Sequence, residues 1–256
     1  MSSTAARFSL LPLISVVALG AAICLWELAA TLFGNPVLVP SFTQSAVALW
    51  DGFVAGTVPE HLLLTLMRVL GGFALGLLVG APLGLLMGQF APIRWMLGPY
   101  VAFFRFVTPV ALLTLFIIWV GSGESSKIVL VTYISGLIIL QNALRGVLEI
   151  DPIKVRAARM LGANASQIFW RVTVPASFGA VFVGARIAFG YAFMTTIAAE
   201  IIVNDSGIGY LIWTSQLYAK TALVFASLLL LGIIGIAFDA LFSFLAQRSN
   251  IKFSTL

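Results

Sequence analysis

Apolar residues gather into six long runs along this chain, near residues 10–33, 62–88, 96–120, 128–146, 178–202 and 222–246, parted by short polar stretches. Each run is of the order of the roughly 20 residues that cross a hydrocarbon core of about 30 Å. The pattern predicts an all-α membrane protein with about six transmembrane helices. The first run follows Arg7, is too long for the apolar segment of a signal peptide and lacks a small-residue cleavage site, so it reads as an uncleaved span. The stretch from Gly34 to Glu60 is more than a tether. Pro36, Pro40 and Ser41 punctuate its start, and Phe42, Val47, Leu49, Trp50 and Phe53 fit one side of a short interfacial helix. Asn204 to Thr221 carries Tyr210, Trp213 and Tyr218, which suit a headgroup boundary or an outer gate.

Small residues refine the second and third runs. Gly72, Gly76, Gly80, Gly84 and Gly88 recur every fourth position. On a helix they form a groove into which a neighbour can pack closely, or along which it can slide. Pro82 in the same run requires a neighbour or water for the carbonyl it frees. The third run holds Gly98, Pro99 and Pro109 and is expected to be kinked or partly unwound. Broken helices line cavities more often than they face lipid.

Composition narrows the class. The chain is 61% hydrophobic and 9% charged, with mean hydropathy +1.10. A soluble domain of 256 residues could not cover its surface with so little charge. The whole chain is therefore expected to be a single transmembrane domain. Cys24 has no intrachain partner, and there is no Cys/His cluster for a metal. His61 reads as a helix-end residue at the water interface. The net charge of +5 does not indicate nucleic acid, because the basic residues segregate by membrane side rather than forming one patch. With a cytoplasmic N-terminus, the inner loops and ends hold Arg7, Arg94, Arg145, Lys154, Arg156, Arg159, Arg171, Arg186, Arg248 and Lys252. The outer side holds only Lys127 and Lys220, a ratio of ten to two that fixes the expected orientation, with both termini cytoplasmic.

Charges within the runs are the candidates for chemistry. Arg105 lies nine residues past Met96, or about 13 Å into its span at 1.5 Å per residue. A cation there must face water, a partner or an anion. It is expected either to line a translocation path with Thr108, Pro109 and Glu200, favouring an anionic solute, or to be held by carbonyls that Pro109 frees. Arg68, Glu27 and Glu200 sit toward the outer third of their spans, where an ion pair among them is expected. Asp239 reaches toward the inner interface. No nucleophile with an acid–base pair appears, so no enzymatic reading stands. Gly121 to Lys127 has the wrong spacing for a phosphate-binding loop, and Ile128 follows the lysine. The chain therefore binds no cofactor of its own, and any ATP and magnesium would belong to a partner.

The loop 147–177 is suited to meeting such a partner. Asp151 and Pro152 can start a helix over residues 153–161. Gly162 fits a left-handed helix end. A second short helix over Ser166–Val172 would offer Ile168, Phe169 and Trp170 before Pro175 stops it. An exposed apolar face of this kind marks a partner site, or else a helix pair resting its arginines on anionic lipid.

The segment Arg156–Pro175, reading RAARMLGANASQIFWRVTVP, resembles the "EAA" loop of ABC-importer permeases in the placing of Ala157, Ala158, Gly162, Ala163, Ile168 and Pro175. Arg156 stands where that family usually has Glu. Residues 66–73, 118–127 and 199–211 resemble the nitrate/sulfonate/taurine branch, and the similarity covers about residues 36–246. The resemblance implies type I importer architecture in a bacterial inner membrane, with the 147–177 loop as a cytoplasmic coupling-helix loop. Two permease copies would enclose one path. Two cytoplasmic ATPase subunits would grip the loops, and an extracytoplasmic binding protein would deliver a small, anionic solute. Thr114 stands where many relatives have Pro. A self-sufficient secondary transporter or channel is the competing reading, and a membrane scaffold without flux is a third. The first is disfavoured because no inverted repeat or intramembrane carboxylate pair is evident.

Overall fold

The computed structural model describes residues 3–203 and 205–248, with side chains from Val17 onward. The side chains of Arg7, Asn204 and Lys252, which entered the charge count and the aromatic outer stretch, lie outside the described residues. The described chain is helical throughout its ordered elements, in the order α1 Ser3–Phe33, α2 Phe42–Val54, α3 Thr57–Gln89, α4 Ala91–Phe106, α5 Pro109–Val120, α6 Glu124–Leu148, α7 Pro152–Met160, α8 Ala165–Ile168, α9 Val174–Val203, α10 Ile208–Leu217 and α11 Thr221–Arg248. Among the described residues, four stretches are long and apolar enough to cross a membrane as single helices: α3, α6, the run Ala165–Val203 that ends in α9, and α11. The third apolar run of the sequence instead forms a broken pair, α4 and α5, bent by 105°. Val107 and Thr108 are extended at the break, and Pro109 takes the first position of α5, where its missing N–H costs nothing.

The chain divides into two compact units, Met1–His61 with Leu211–Gly232, and Leu62–Tyr210 with Ile233–Leu256. In the first, α2 forms where Phe42–Phe53 predicts it. Ser41 accepts from the Gln44 amide and Gln44 bonds back to the Ser41 amide, a reciprocal cap for two otherwise unpaired donors. The Trp26 indole donates to the Pro40 carbonyl at 3.0 Å and packs edge-on to Phe42, fixing α1 against the start of α2. Glu27 accepts from Thr43 Oγ1 at 3.1 Å. Its carboxylate, expected to join an ion pair with Arg68 or Glu200, is engaged within this unit by the hydroxyl and amide donors of the α2 N-terminus.

In the second unit the glycine ladder of α3 meets α6 along its length. A methyl added at Gly76 would stand 2.7 Å from the Ser135 Cβ and 2.8 Å from the Gly136 amide nitrogen. One at Gly80 would stand 2.8 Å from the Gly136 Cα, one at Gly84 2.7 Å from the Ala143 Cβ, and one at Gly88 2.7 Å from Val147 Cγ1. The stripe therefore serves close helix packing, which in lipid must supply through van der Waals contact what water supplies elsewhere. Gly71, one position off the stripe, has open space where a side chain would go. Phe73, Phe182, Phe189, Phe238 and Phe242 form an edge-to-face and tilted aromatic cluster joining α3, α9 and α11.

Candidate functional site

Three features of the second unit carry charge or exposure that packing alone does not require. The first is a buried ionic cluster at one end of α3, α6 and α9. Arg68 and Glu200 are both almost wholly buried, at 1% and 0% exposure. Arg68 donates through one terminal nitrogen to Glu200 Oε1 at 2.6 Å and to the Ser206 carbonyl at 2.9 Å. Its Nε reaches Glu124 Oε2 at 2.5 Å, and its other terminal nitrogen donates to Ser206 Oγ at 2.6 Å. Thr65 Oγ1 and the Gly209 amide supply further donors to Glu200. Breaking such a satisfied network would strand a charge in a low-dielectric interior.

Lys127, also buried, pairs with Asp205 and lies 3.8 Å from Glu124. Asp205 sits in the connection after α9. Burial acts to raise its pKa, but the hydrogen bond and charge of Lys127 outweigh it and hold the carboxyl below the usual aspartate value. The expected Arg68–Glu200 pair is thus present as part of a larger cluster that pins the 205–209 connection to α3 and α6. Glu200 lines neither of the cavities described below.

The second feature is the hairpin between α6 and α9. Asp151 caps α7 by accepting from the Ile153 amide at 2.8 Å, with Pro152 at the first helical position. Gly162 ends the turn at φ +83°, a conformation that side-chain-bearing residues rarely take. Asn164 and Gln167 cap α8 reciprocally. No residue of α7 is buried. Met160 and Leu161 are 89% and 88% exposed, Ile153 and Trp170 are exposed, and Arg156 and Ala157 are exposed with them; Ala158 and Ala163 are half-buried.

The hairpin departs from expectation in its second arm. Ile168 is buried at 3% exposure, so it anchors the arm rather than displaying it. After α8 the backbone widens into one π-helical turn, Phe169–Thr173, and passes directly into α9. Pro175 does not stop the helix. It sits exposed in the first turn of α9, where the widened register just before it leaves room for a residue that cannot donate a hydrogen bond.

The third feature surrounds the α4–α5 break. A cavity of about 480 Å³, almost wholly apolar, is lined by Tyr100, Phe104, Phe116, Trp119 and Tyr133 among others. Tyr133 Oη donates to the Phe104 carbonyl at 2.6 Å, satisfying one of the carbonyls that the break frees. A smaller cavity of about 240 Å³ holds Arg94, Arg105, Gln141 and Arg145. Arg105 lies in the last turn of α4 with its guanidinium 4.9 Å from the centre of the Phe106 ring. Among the described residues it makes no hydrogen bond to the freed carbonyls, so the reading in which those carbonyls hold it has no support. Thr108 immediately precedes α5, with no capping bond from its side chain, and Pro109 follows it; both border the break, and neither lines this cavity. Arg94 and Arg145, expected only as charges of the inner loops and helix ends, thus join Arg105 in one cavity. The signal was available, since positions 94, 98, 101 and 105 share one helical face.

Residues 80–251 match the family described as binding-protein-dependent transport system inner membrane component. The chain is similar to a probable ABC transporter permease of Brucella melitensis, 38% identical over 212 residues that cover 83% of this chain and 84% of the relative. It is similar to the taurine transport system permease of Escherichia coli, 31% identical over 227 residues covering 86% and 82%. It is also similar to the putative aliphatic sulfonates transport permease of the same organism, 32% identical over 217 residues covering 83% and 81%.

Proposed function

The chain belongs to the family of binding-protein-dependent transport system inner membrane components, and from that premise we propose that it forms the path for a small organic anion driven by a separate ATPase. It is a multi-pass membrane permease subunit of the ABC-transporter class. Two copies enclose the path. An extracytoplasmic binding protein hands over a sulfonate- or carboxylate-like solute. Two cytoplasmic ATPase subunits, which hold the nucleotide and magnesium, grip the hairpin of each copy. The termini face the cytoplasm, as the distribution of lysine and arginine implies.

One observation carries the coupling role: a capped, ordered helix that displays Ile153, Met160 and Leu161 to solvent. A helix of nine residues in which none is fully buried gains little from tertiary packing, and short helices are marginal in water without it. Its apolar surface has a purpose only if a partner covers it. The anionic solute is supported by the names of the taurine and aliphatic-sulfonate relatives and by the arginines around the α4–α5 break.

The test is Gly162→Pro, assayed in the complete transporter reconstituted in liposomes. Proline cannot take φ +83°, so the hairpin turn must re-form while the spans remain. The variant should insert normally and hydrolyse ATP without driving uptake. Uptake at the wild-type rate would refute the coupling role. Uptake by the purified permease alone under an ion gradient would favour a secondary transporter instead.

A further inference from the structure

Cations on membrane-spanning helices are costly unless they meet a carboxylate, a carbonyl, water or an anion. Three of them here meet carboxylates within the chain: Arg68 meets Glu124 and Glu200, Lys127 meets Asp205, and Arg186 meets Asp239. Arg94, Arg105 and Arg145 do not. Among the described residues none of the three lies within 4.0 Å of a carboxylate, and none has a hydrogen-bond acceptor. Yet all three line the same cavity of about 240 Å³, with Gln141 as a further donor and the small residues Gly98 and Ala102 along the α4 wall.

The arrangement is a groove with direction. Arg94 and Arg105 share one face of α4, about 16 Å apart at 1.5 Å per residue. Tyr133 of α6 lies level with Phe104 of α4. From that level, Arg94 lies about 15 Å along α4 and Arg145 about 18 Å along α6. Because both line one cavity, these two arginines share the end nearer the hairpin, while Arg105 and Gln141 lie deeper. Like charges gathered without a counter-charge repel one another, and a bound oxyanion relieves that repulsion while accepting charge-assisted hydrogen bonds.

We propose that this groove is an anion-binding station on the hairpin side of the path. Arg105 meets the solute's sulfonate or carboxylate as it passes the α4–α5 break, and the Arg94–Arg145 pair holds it before release. The proposal rests on the reading of the chain as an anion permease and assigns that solute a second position within it. The recognising chemistry is a single oxyanion, which a phospholipid phosphate also presents, so the test must separate the two sources.

Ethanesulfonate is the probe, titrated against the complete transporter in nanodiscs of phosphatidylcholine alone and in discs containing phosphatidylglycerol. Thermal stabilisation reads out binding, and ATP-driven uptake of the same probe is measured in parallel. In phosphatidylcholine discs the probe should stabilise the wild type saturably, with about a tenfold or greater loss of affinity in Arg94→Gln, Arg105→Gln and Arg145→Gln. Removing unpaired like charges should leave unliganded stability equal or higher, so the variants should not fail by misfolding. Equal responses in wild type and variants would overturn the station. Stabilisation by phosphatidylglycerol alone, lost in the variants, would overturn the solute assignment in favour of a lipid headgroup. Normal uptake in variants that no longer bind the probe would overturn the station while leaving the permease reading intact. Failure of the wild type to transport any organic anion would defeat that underlying reading instead.

Discussion

The contact between α3 and α6 makes the sharpest demand on sequence, and replacing Gly80 by alanine measures it. In isolation the exchange favours the helix by roughly 0.8–1.0 kcal/mol, because alanine loses less backbone freedom than glycine. Here the new methyl would stand 2.8 Å from the Gly136 Cα, with the Gly136 carbonyl oxygen closer still. Ordinary carbon–carbon contact is about 3.5–4.0 Å. Backbone cannot rotate aside as a side chain can, so α3 and α6 must separate locally by about 1 Å. A gap of that size forfeits a quarter to a half of each dispersion contact it opens. Overpacking of one methyl typically costs about 1–3 kcal/mol, and an unyielding obstacle puts this case at the upper end. The net expectation is destabilisation by about 1–2 kcal/mol.

Gly71→Ala provides the control, since open space surrounds that position and only the propensity gain of up to about 1 kcal/mol remains. The two variants should differ by about 2–3 kcal/mol, or roughly 5–10 °C in unfolding midpoint for a chain of this size. Far-UV circular dichroism of the purified protein in detergent micelles, scanned with temperature, reads the difference. A Gly80→Ala midpoint at or above that of Gly71→Ala would refute the reasoning.

The remaining expectations concern the ionic cluster and the hairpin. Glu200→Ala removes the carboxylate that pairs with buried Arg68 and accepts from Thr65 and the Gly209 amide, and should cost about 3–5 kcal/mol; Glu200→Gln, which keeps an acceptor, should cost less in the same thermal scan. Asp205 has its pKa depressed in the folded state, so the stability it contributes is complete above the unfolded-state value and is lost as pH falls below about 4. Thermal scans from pH 6 to pH 3.5 should show a smaller acid loss in Asp205→Asn than in wild type, with Glu124, which faces Lys127 and Arg68, accounting for part of what remains. An identical acid loss in the two proteins would contradict the pairing. Leu161→Glu should leave the thermal midpoint unchanged, because the side chain is 88% exposed, yet reduce co-purification of a co-expressed ATPase subunit about tenfold. Undiminished co-purification would remove Leu161 from the proposed docking face.

The helices were legible wherever a local signal has a local cause. Apolar length gave α3, α6, α9 and α11, the punctuation at Pro36, Pro40 and Ser41 gave the start of α2, and the Asp151 cap gave that of α7. The fourfold glycine repeat gave a packing stripe, though not the partner, since nothing in α6 announces that it will supply Gly136 and Ala143. The 105° break was half legible: Pro109 marked the site, but a proline predicts a kink and not its size. Where the sequence reading failed, the cause was tertiary. Pro175 carries the mark of a stop, yet the π turn before it absorbs the missing donor. Ile168 belongs to an apolar trio that looked uniform along the chain, and packing buried that residue while leaving Trp170 exposed. For the arginine cavity, the face shared by Arg94 and Arg105 could be read from spacing, but the arrival of Arg145 from α6 could not.

The passage from α8 through the π turn into α9 has a mechanical consequence. From Ala165 to Val203 the backbone is one helical run of 39 residues, about 58 Å long at 1.5 Å per residue. It runs without a break from just past the Gly162 turn to beyond the carboxylate of Glu200. Axial thrust applied at one tip must therefore arrive at the other, where Arg68, Glu124 and Lys127 are fastened. The loosened turn at Phe169–Thr173 is what lets that connecting rod stay whole across a proline.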